Sequence, residues 1–388
     1  MECAVLEADE IRVDVMDEIQ HDAPRPMIDS LQVQNFRCFQ NLELNGLGDI
    51  NIIVGKNGAG KTALLESIAL PGSNPNLPFI FRQFRGVANR PILAQKSAYE
   101  NLWKDLFFRF NQNSPIQISL RGTTENNREL KIYYDPQIER PLVIAGFQDK
   151  SKEIESITSD SSTIVPIVFE TVAHGQTFKL PVKMAANGQI MLAGNQPVGK
   201  VSYYPASFVP QSWEVAGMFS NLRVAKKDKK LSDLVHEIFP NVSELSPEQL
   251  FPSGGQGEMY CSVPGVPEKV PLGLVSNGIN RFLHIMLYIA NQPKGVVLLD
   301  EIENGLHHSI LNQVWKAVLL QRNEYGVQLF ISTHGIECLD ALKPLLTEEN
   351  LGHFRLIRME ELKPGIHTAR IFKGEDFQAA LETSSEFR

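Results

Sequence analysis

The stretch Gly55-Lys56-Asn57-Gly58-Ala59-Gly60-Lys61-Thr62 decides the fold. It spells glycine, four residues, then Gly-Lys-Thr. An apolar strand-like run from Ile50 to Val54 leads into it and a helix-like run from Ala63 to Leu70 follows. Strand, glycine-rich turn and helix in that order make a phosphate-cradling loop. The glycines let the backbone fold back so that successive N–H groups point at a polyphosphate, and the helix N-terminus places positive partial charge behind them. Residues Gly55 to Gly60 are expected to wrap the phosphates, with Lys61 on the β- and γ-phosphates and the Thr62 hydroxyl on Mg²⁺. The expected ligand is a nucleoside triphosphate, ATP, with Mg²⁺.

Two apolar runs further along belong to the same architecture. Val296 to Glu301 (VVLLDE) delivers two adjacent carboxylates at the end of a strand, and Val327 to Thr333 (VQLFIST) is followed by His334. Uninterrupted apolar runs are how central parallel strands read, because both of their faces are covered. Asp300 is expected to hold Mg²⁺ through water, Glu301 to orient or deprotonate the attacking water, and His334 to contact the γ-phosphate. The fold class that follows is α/β: a P-loop NTPase with a mixed, mostly parallel sheet, an antiparallel β subdomain and a helical inserted lobe.

With 388 residues and 43% hydrophobic composition the chain can bury a large core. No apolar run reaches the ~20 residues of a membrane span. The first 28 residues form an acidic extension, expected to be mobile, and 29–388 a single ATPase domain with its inserted lobe at about 71–250. Cys3, Cys38, Cys261 and Cys338 are scattered, which argues for reduced thiols and a cytoplasmic setting. The net charge of −8 excludes a wholly basic nucleic-acid-coating protein but leaves room for a local basic patch.

Alternation from Ser30 to Phe39 predicts a strand, with Leu42 to Leu44 as its partner. Tyr99 to Phe110 reads as helical, and Ile116 to Leu120 with Leu130 to Tyr134 as a hairpin. Strand-like pieces recur at Ile164–Glu170, Thr177–Val182, Ile190–Leu192 and Val201–Tyr204. Leu231 to Phe239 and Ile279 to Ala290 read as helices, and His353–Glu360 with Gly365–Lys373 as a last hairpin. There is no sustained heptad repeat, so a long coiled-coil arm is not expected.

The segments LQVQNFRCFQNLEL, GKNGAGKTALLESI, VSNGINRFLHI, VVLLDEIENGLHH and LFISTHG together resemble the ABC-type ATPases of the RecF/SMC-like branch, and within it the OLD-like AAA ATPases of prokaryotic anti-phage defence. The resemblance covers both ends of the chain and the middle only in layout. It implies an ATP-dependent homodimer or higher oligomer with two composite sites, the signature serine and glycine of one copy capping the γ-phosphate held by the other. Ser253-Gly254-Gly255-Gln256 spells that signature but lies 47 positions before Asp300 (300 − 253) and runs into proline-rich sequence, which opens no helix. Ser276 lies 24 positions before Asp300 (300 − 276) and opens directly into the apolar helix, so the signature role goes to Ser276 and Gly278. Glu303 to Leu306 falls on the loop that would touch the partner's site. For the Mg²⁺-contacting glutamine of the family the candidates are Gln211 and, more weakly, Gln83, with Arg82, Arg85 and Arg90 beside the latter.

Many OLD proteins also carry a nuclease domain. Here 54 residues (388 − 334) follow His334, so any nuclease or toxin is expected on a separately encoded effector. Three functions compete: a defence sensor or regulatory subunit, a RecF-like DNA-maintenance ATPase, and the nucleotide-binding subunit of a transporter. The second draws on Arg223, Lys226, Lys227, Lys229 and Lys230, a stretch suited to nucleic-acid phosphates. The third is disfavoured by the NFRCF strand and the long insertion, and no membrane partner is expected. Lys61→Ala is predicted to abolish ATP binding, measured by equilibrium titration with a fluorescent ATP analogue.

Overall fold

The computed structural model describes residues 27–72, 103–135, 163–184, 190–192, 197–207, 209–248 and 257–382. The acidic extension up to residue 26, Arg82, Gln83, Arg85, Arg90 and the Ser253–Gln256 string lie outside them. Strands β1 (Ile28–Phe36) and β2 (Phe39–Asn45) form a hairpin. Strand β3 (Ile50–Val54) feeds the phosphate loop and helix α1 (Lys61–Gly72). The insertion contributes β4 (Ile116–Gly122), β5 (Arg128–Tyr134), β6 (Thr163–Ala173), β7 (Gln176–Met184) and β8 (Ile190–Leu192). After β9 (Val201–Tyr204) come α2 (Ser212–Val224), α3 (Asp228–Ile238) and the short strands β10 (Ser243–Glu248), β11 (Glu258–Ser262) and β12 (Val270–Pro271). The last third holds α4 (Asn277–Ala290), β13 (Val296–Leu299), α5 (Leu311–Tyr325), β14 (Gln328–Ser332), α6 (Ile336–Leu342), the hairpin β15 (Phe354–Lys363) and β16 (Ile366–Phe372), and α7 (Glu375–Glu382).

These strands build a six-stranded sheet in the order β16-β15-β3-β14-β13-β9, parallel except for β16, and a seven-stranded antiparallel sheet, β2-β1-β4-β5-β6-β7-β8. Every residue of β3, β13 and β14 is buried, which is why these segments read as continuous apolar runs. Their two faces serve different cores. Ile50, Ile52, Val54, Val297, Leu299, Leu329 and Ile331 pack against a helical layer that includes α4 and α5. Ile53, Val296, Leu298 and Phe330 meet α1 and the antiparallel sheet on the other side.

Helix α1 is therefore enclosed between two sheets. Lys61 and Ala63 through Gly72 are buried, so it has no polar stripe. The two sheets are stitched by Gln328, whose amide accepts from the Ile28 N–H at 2.8 Å and donates to the Ile28 and Gly48 carbonyls at 2.8 and 2.7 Å. Among the described residues no helix is long and apolar enough to cross a membrane.

Two local expectations are corrected. The described part of the Tyr99 to Phe110 run is not a continuous helix. It forms two short 3₁₀ turns, Lys104–Leu106 and Phe108–Phe110, separated by Phe107, which bridges to Phe36 as an antiparallel pair. Trp103, Leu106 and Phe107 are drawn into the core of the antiparallel sheet, and that tertiary burial overrides the helical spacing. The Ser30 to Phe39 run is two strands rather than one, because Arg37 adopts a left-handed φ of 51° at the hairpin turn. Helix α2 went unread in the sequence.

The helical core also holds a buried polar pair, His284 Nδ1 at 3.2 Å from the Tyr204 hydroxyl. Burial, with Arg281 close by, lowers the His284 pKa from 6.5 to about 4. The folded chain thus keeps this imidazole neutral where the unfolded chain begins to protonate. Stability present above pH 6.5 is lost as pH falls through 6.5 toward 4, by about 2 kcal/mol at pH 5. His284→Gln is predicted to remove that share of the pH dependence, checked by urea midpoints between pH 7 and pH 5.

Candidate active site

The C-terminal ends of β3, β9, β13 and β14 lie side by side, so the loops leaving them meet at one edge of the sheet. The phosphate loop leaves β3. Gly55 (φ 146°) and Gly60 (φ 101°) hold backbone conformations that side chains rarely adopt. A Cβ at Gly55 would come within 2.8 Å of the Met359 carbonyl, and one at Gly60 within 2.8 Å of the Cys38 sulfur. Lys61 Nζ folds back onto the Gly55 and Lys56 carbonyls at 2.7 and 3.2 Å, occupying the cradle of the loop. Burial lowers the Lys61 pKa, while the carboxylates of Glu301, Asp300 and Glu303 act in the opposite direction.

Asp300 is the hub. It is 3% exposed. Its Oδ2 accepts from the Thr62 hydroxyl at 3.0 Å and the Tyr203 hydroxyl at 3.4 Å, and its Oδ1 from the Ser332 hydroxyl at 2.5 Å. The Thr62 hydroxyl and the Asp300 carboxylate form a hard-oxygen pair of the kind that fits Mg²⁺, which takes its remaining ligands from water and phosphate. The small pocket beside them, ≈ 250 Å³, is lined by Glu66, Tyr203, Pro205, Ala206, Ser207 and Glu301. Glu301 follows with φ 48°, its N–H donated to the Ser332 hydroxyl at 2.8 Å.

His334 sits opposite, half exposed, with Nδ1 at 3.1 Å from Glu303 Oε1 and 3.9 Å from Glu301 Oε1. The same Glu303 oxygen accepts from the His334 and Gly335 N–H groups at 2.9 and 3.1 Å. Glu303 thereby anchors the His334 loop from within its own chain. A larger cleft of ≈ 780 Å³ opens over the phosphate loop, bounded by Asn57, Gly58, Lys61, Thr62, Glu301 and, across from them, Arg37, Asp105, Phe107–Phe110 and His367.

The structure thus brings Gly55 to Thr62, Asp300, Glu301 and His334 together. Ser276 and Gly278 stand apart, and neither lines these clefts. The Ser276 hydroxyl caps α4 by accepting from the Gly278 N–H at 3.2 Å, and a Cβ at Gly278 would come within 3.2 Å of the Gly305 carbonyl. The Ser276–Gly278 turn and the Glu303–Leu306 loop therefore adjoin one another. Gln211 is the exposed N-cap of α2, its N–H bonded to Glu214, and Pro205, Ala206 and Ser207 rather than Gln211 border the Thr62–Asp300 pocket. Of the basic stretch, Lys227 and Lys230 pair with Glu324 on α5 at 3.4 and 3.5 Å.

Sequence reasoning missed Arg37, Tyr203, Ser332 and the inward role of Glu303. Arg37 lines the nucleotide cleft and is held by Glu66 at 3.1 Å and Asp105 at 2.9 Å. The one readable signal was Ser332, a hydroxyl at the last position of an otherwise apolar buried strand.

A phosphate loop, a hydroxyl–carboxylate pair for a cation, a positioned carboxylate and a histidine on one sheet edge define a P-loop ATPase. Comparison with known proteins agrees. Residues 223–340 match the family described as "AAA domain, putative AbiEii toxin, Type IV TA system", and residues 30–173 match an "AAA domain" family. The chain is 22% identical over 343 residues to an "ATP/GTP phosphatase" of Helicobacter pylori, covering 84% of this chain and 90% of the relative. It is 50% identical over 227 residues to uncharacterized protein MJECL10 of Methanocaldococcus jannaschii, covering 58% and 92%. A shorter match, 30% over 105 residues, links it to the DNA replication and repair protein RecF of Idiomarina loihiensis, with 27% and 26% covered. The chain thus carries AAA-type ATPase domain sequence, with RecF among the relatives that match it over a shorter stretch. Glu301→Gln is predicted to leave ATP binding intact and slow turnover by roughly 10²–10⁴-fold, measured by phosphate release.

Proposed function

We propose that this chain is a cytoplasmic ATP-driven switch that pairs with a second copy of itself around bound ATP and controls a separately encoded effector in anti-phage defence. The observation that carries the pairing is the position of the α4 N-terminus. Its capped turn, Ser276 to Gly278, lines neither the cleft over its own phosphate loop nor the pocket at Asp300. A phosphate for those amides would have to come from another copy. Helix N-terminal amides are suited to such a group by geometry and by partial charge.

In this reading Thr62 and Asp300 would hold Mg²⁺, which would supply neutralisation of the phosphate charge. Lys61 leaves the Gly55 and Lys56 carbonyls for the β- and γ-phosphates. Glu301 orients and deprotonates water, and His334, anchored through Glu303, meets the γ-phosphate. The partner's donors add electrostatic stabilisation worth about 10²–10³ in rate for each well-aimed group. ATP binding then holds the pair together and hydrolysis releases it.

The defence role is supported by the OLD-like motifs and by a matching family whose description names a toxin–antitoxin system. A second reading, a RecF-like ATPase on DNA, is favoured by Arg223, Lys226 and Lys229, exposed residues that stand outside the Glu324 ion pairs. Steep salt dependence of ATP-stimulated DNA binding would mark that alternative. The pairing is tested by light scattering with a non-hydrolysable ATP analogue. Wild-type protein is expected to double in mass while Ser276→Arg binds the analogue and stays single. A wild-type chain that remains single with analogue bound would refute the pairing.

A further inference from the structure

Helix α4 does more than present its N-terminus, because it also carries Arg281, five positions after Ser276. The residue is only 7% exposed, and no carboxylate of the described residues pairs with its guanidinium. Its charge is compensated by main-chain carbonyls and one aromatic face. Nη2 donates to the carbonyls of Asp300 at 2.9 Å and Glu301 at 3.2 Å. Nη1 donates to those of Pro205 at 3.2 Å and Ala206 at 3.4 Å. The Tyr204 ring lies 4.2 Å below. Burying a cation without a counter-charge is costly unless dipoles and a π face surround it, so this fork holds those four carbonyls where they are.

Two of the four belong to the catalytic pair. Glu301 has a φ of 48°, a conformation unfavourable for a residue with a side chain. Its N–H is tied to Ser332, and its C=O accepts from Arg281 and, at 2.9 Å, from the Asn304 N–H, so both main-chain groups are fastened and the strained backbone is over-determined. The other two carbonyls belong to the Pro205–Ala206 loop, which lines the Thr62–Asp300 pocket. The Ala206 carbonyl also accepts from the Asn304 side chain at 2.9 Å.

We propose that Arg281 is a positioning residue. It locks Glu301 in its left-handed conformation and couples the placement of α4, and hence the occupancy of the Ser276–Gly278 turn, to the water-activating carboxylate of the same subunit. The proposal rests on Glu301 as the base, and it gives the signature helix a role within its own active site besides the one toward a partner.

Lysine cannot replace a planar fork that bridges two carbonyl pairs. In Arg281→Lys, and equally in Arg281→Gln, kcat is expected to fall about 10²-fold while the Kd for ATP stays within about threefold of wild type. Either folded variant with an unchanged kcat, or with Kd rising in step with the loss of kcat, overturns the proposal. A double variant separates positioning from simple destabilisation. If Arg281 acts through Glu301, then Arg281→Lys combined with Glu301→Gln turns over no more slowly than Glu301→Gln alone, and an additive loss refutes it. Should Glu301→Gln alone leave turnover intact, it is the assignment of the base that fails.

Discussion

The Asp300 carboxylate is the group on which the site's geometry depends. A carboxylate this deeply buried costs several kcal/mol unless its oxygens are satisfied. Here three hydroxyls satisfy them, one from the first turn of α1, one from the end of β9 and one from the end of β14. Each donor is delivered by a different element, so the bonds form only if those elements end level with one another. The parallel register does this: Leu299 stands opposite both Ile331 and Tyr204, which leaves the next residue of each strand at the same edge. The phosphate loop is drawn to that edge through Thr62.

Burial on both sides explains why the edge is where the chemistry lies. Strands β3, β13 and β14 are covered by α1 on one face and by the helical layer on the other, so polar groups emerge only where the strands stop. Helix α1 itself is enclosed, and Glu66 within it, 1% exposed, is tolerated because Arg37 reaches it from the antiparallel sheet. The pairing ties the nucleotide cleft to the hairpin of β1 and β2. The insertion continues that antiparallel sheet, and its Phe107–Phe110 segment forms the far wall of the cleft.

Carboxylates near one another are given different surroundings. Asp300 is surrounded by hydroxyls, Glu301 stands on a strained backbone beside the clefts, and Glu303 turns inward to hold the His334 loop. The Glu303–Leu306 loop also approaches the α4 N-terminus through Gly305. A displacement of that surface would therefore be felt at His334 through Glu303 and at Glu301 through Arg281. Ion pairs at the α2–α3 junction, by contrast, join exposed lysines to Glu324 and contribute little to stability.

Much of this site was legible in the sequence because its parts are local. Gly55 to Thr62 needs only a strand, a turn and a helix in succession, and VVLLDE and LFISTH announce buried strands by lacking any alternation. The expectation that favours Ser276 over Ser253 as the signature likewise uses only local sequence, the proline-rich stretch after the latter and the apolar helix after the former. What the sequence could not disclose were contacts between residues far apart in the chain. Arg37 with Glu66, Tyr203 and Ser332 with Asp300, and Arg281 with four carbonyls all depend on strand order and on which face of each element turns inward. The Tyr99 to Phe110 run shows the same limit from the other side: its apolar spacing fits a helix, yet burial of Trp103, Leu106 and Phe107 against the antiparallel sheet breaks its described part into turns. By itself the sequence determined a triphosphate-binding loop and the carboxylates that serve it, since the backbone chemistry of neighbouring residues suffices for both. Only the tertiary structure decided which side chains hold those carboxylates, because desolvation and hydrogen bonding across the sheet edge exist only once the layers have closed.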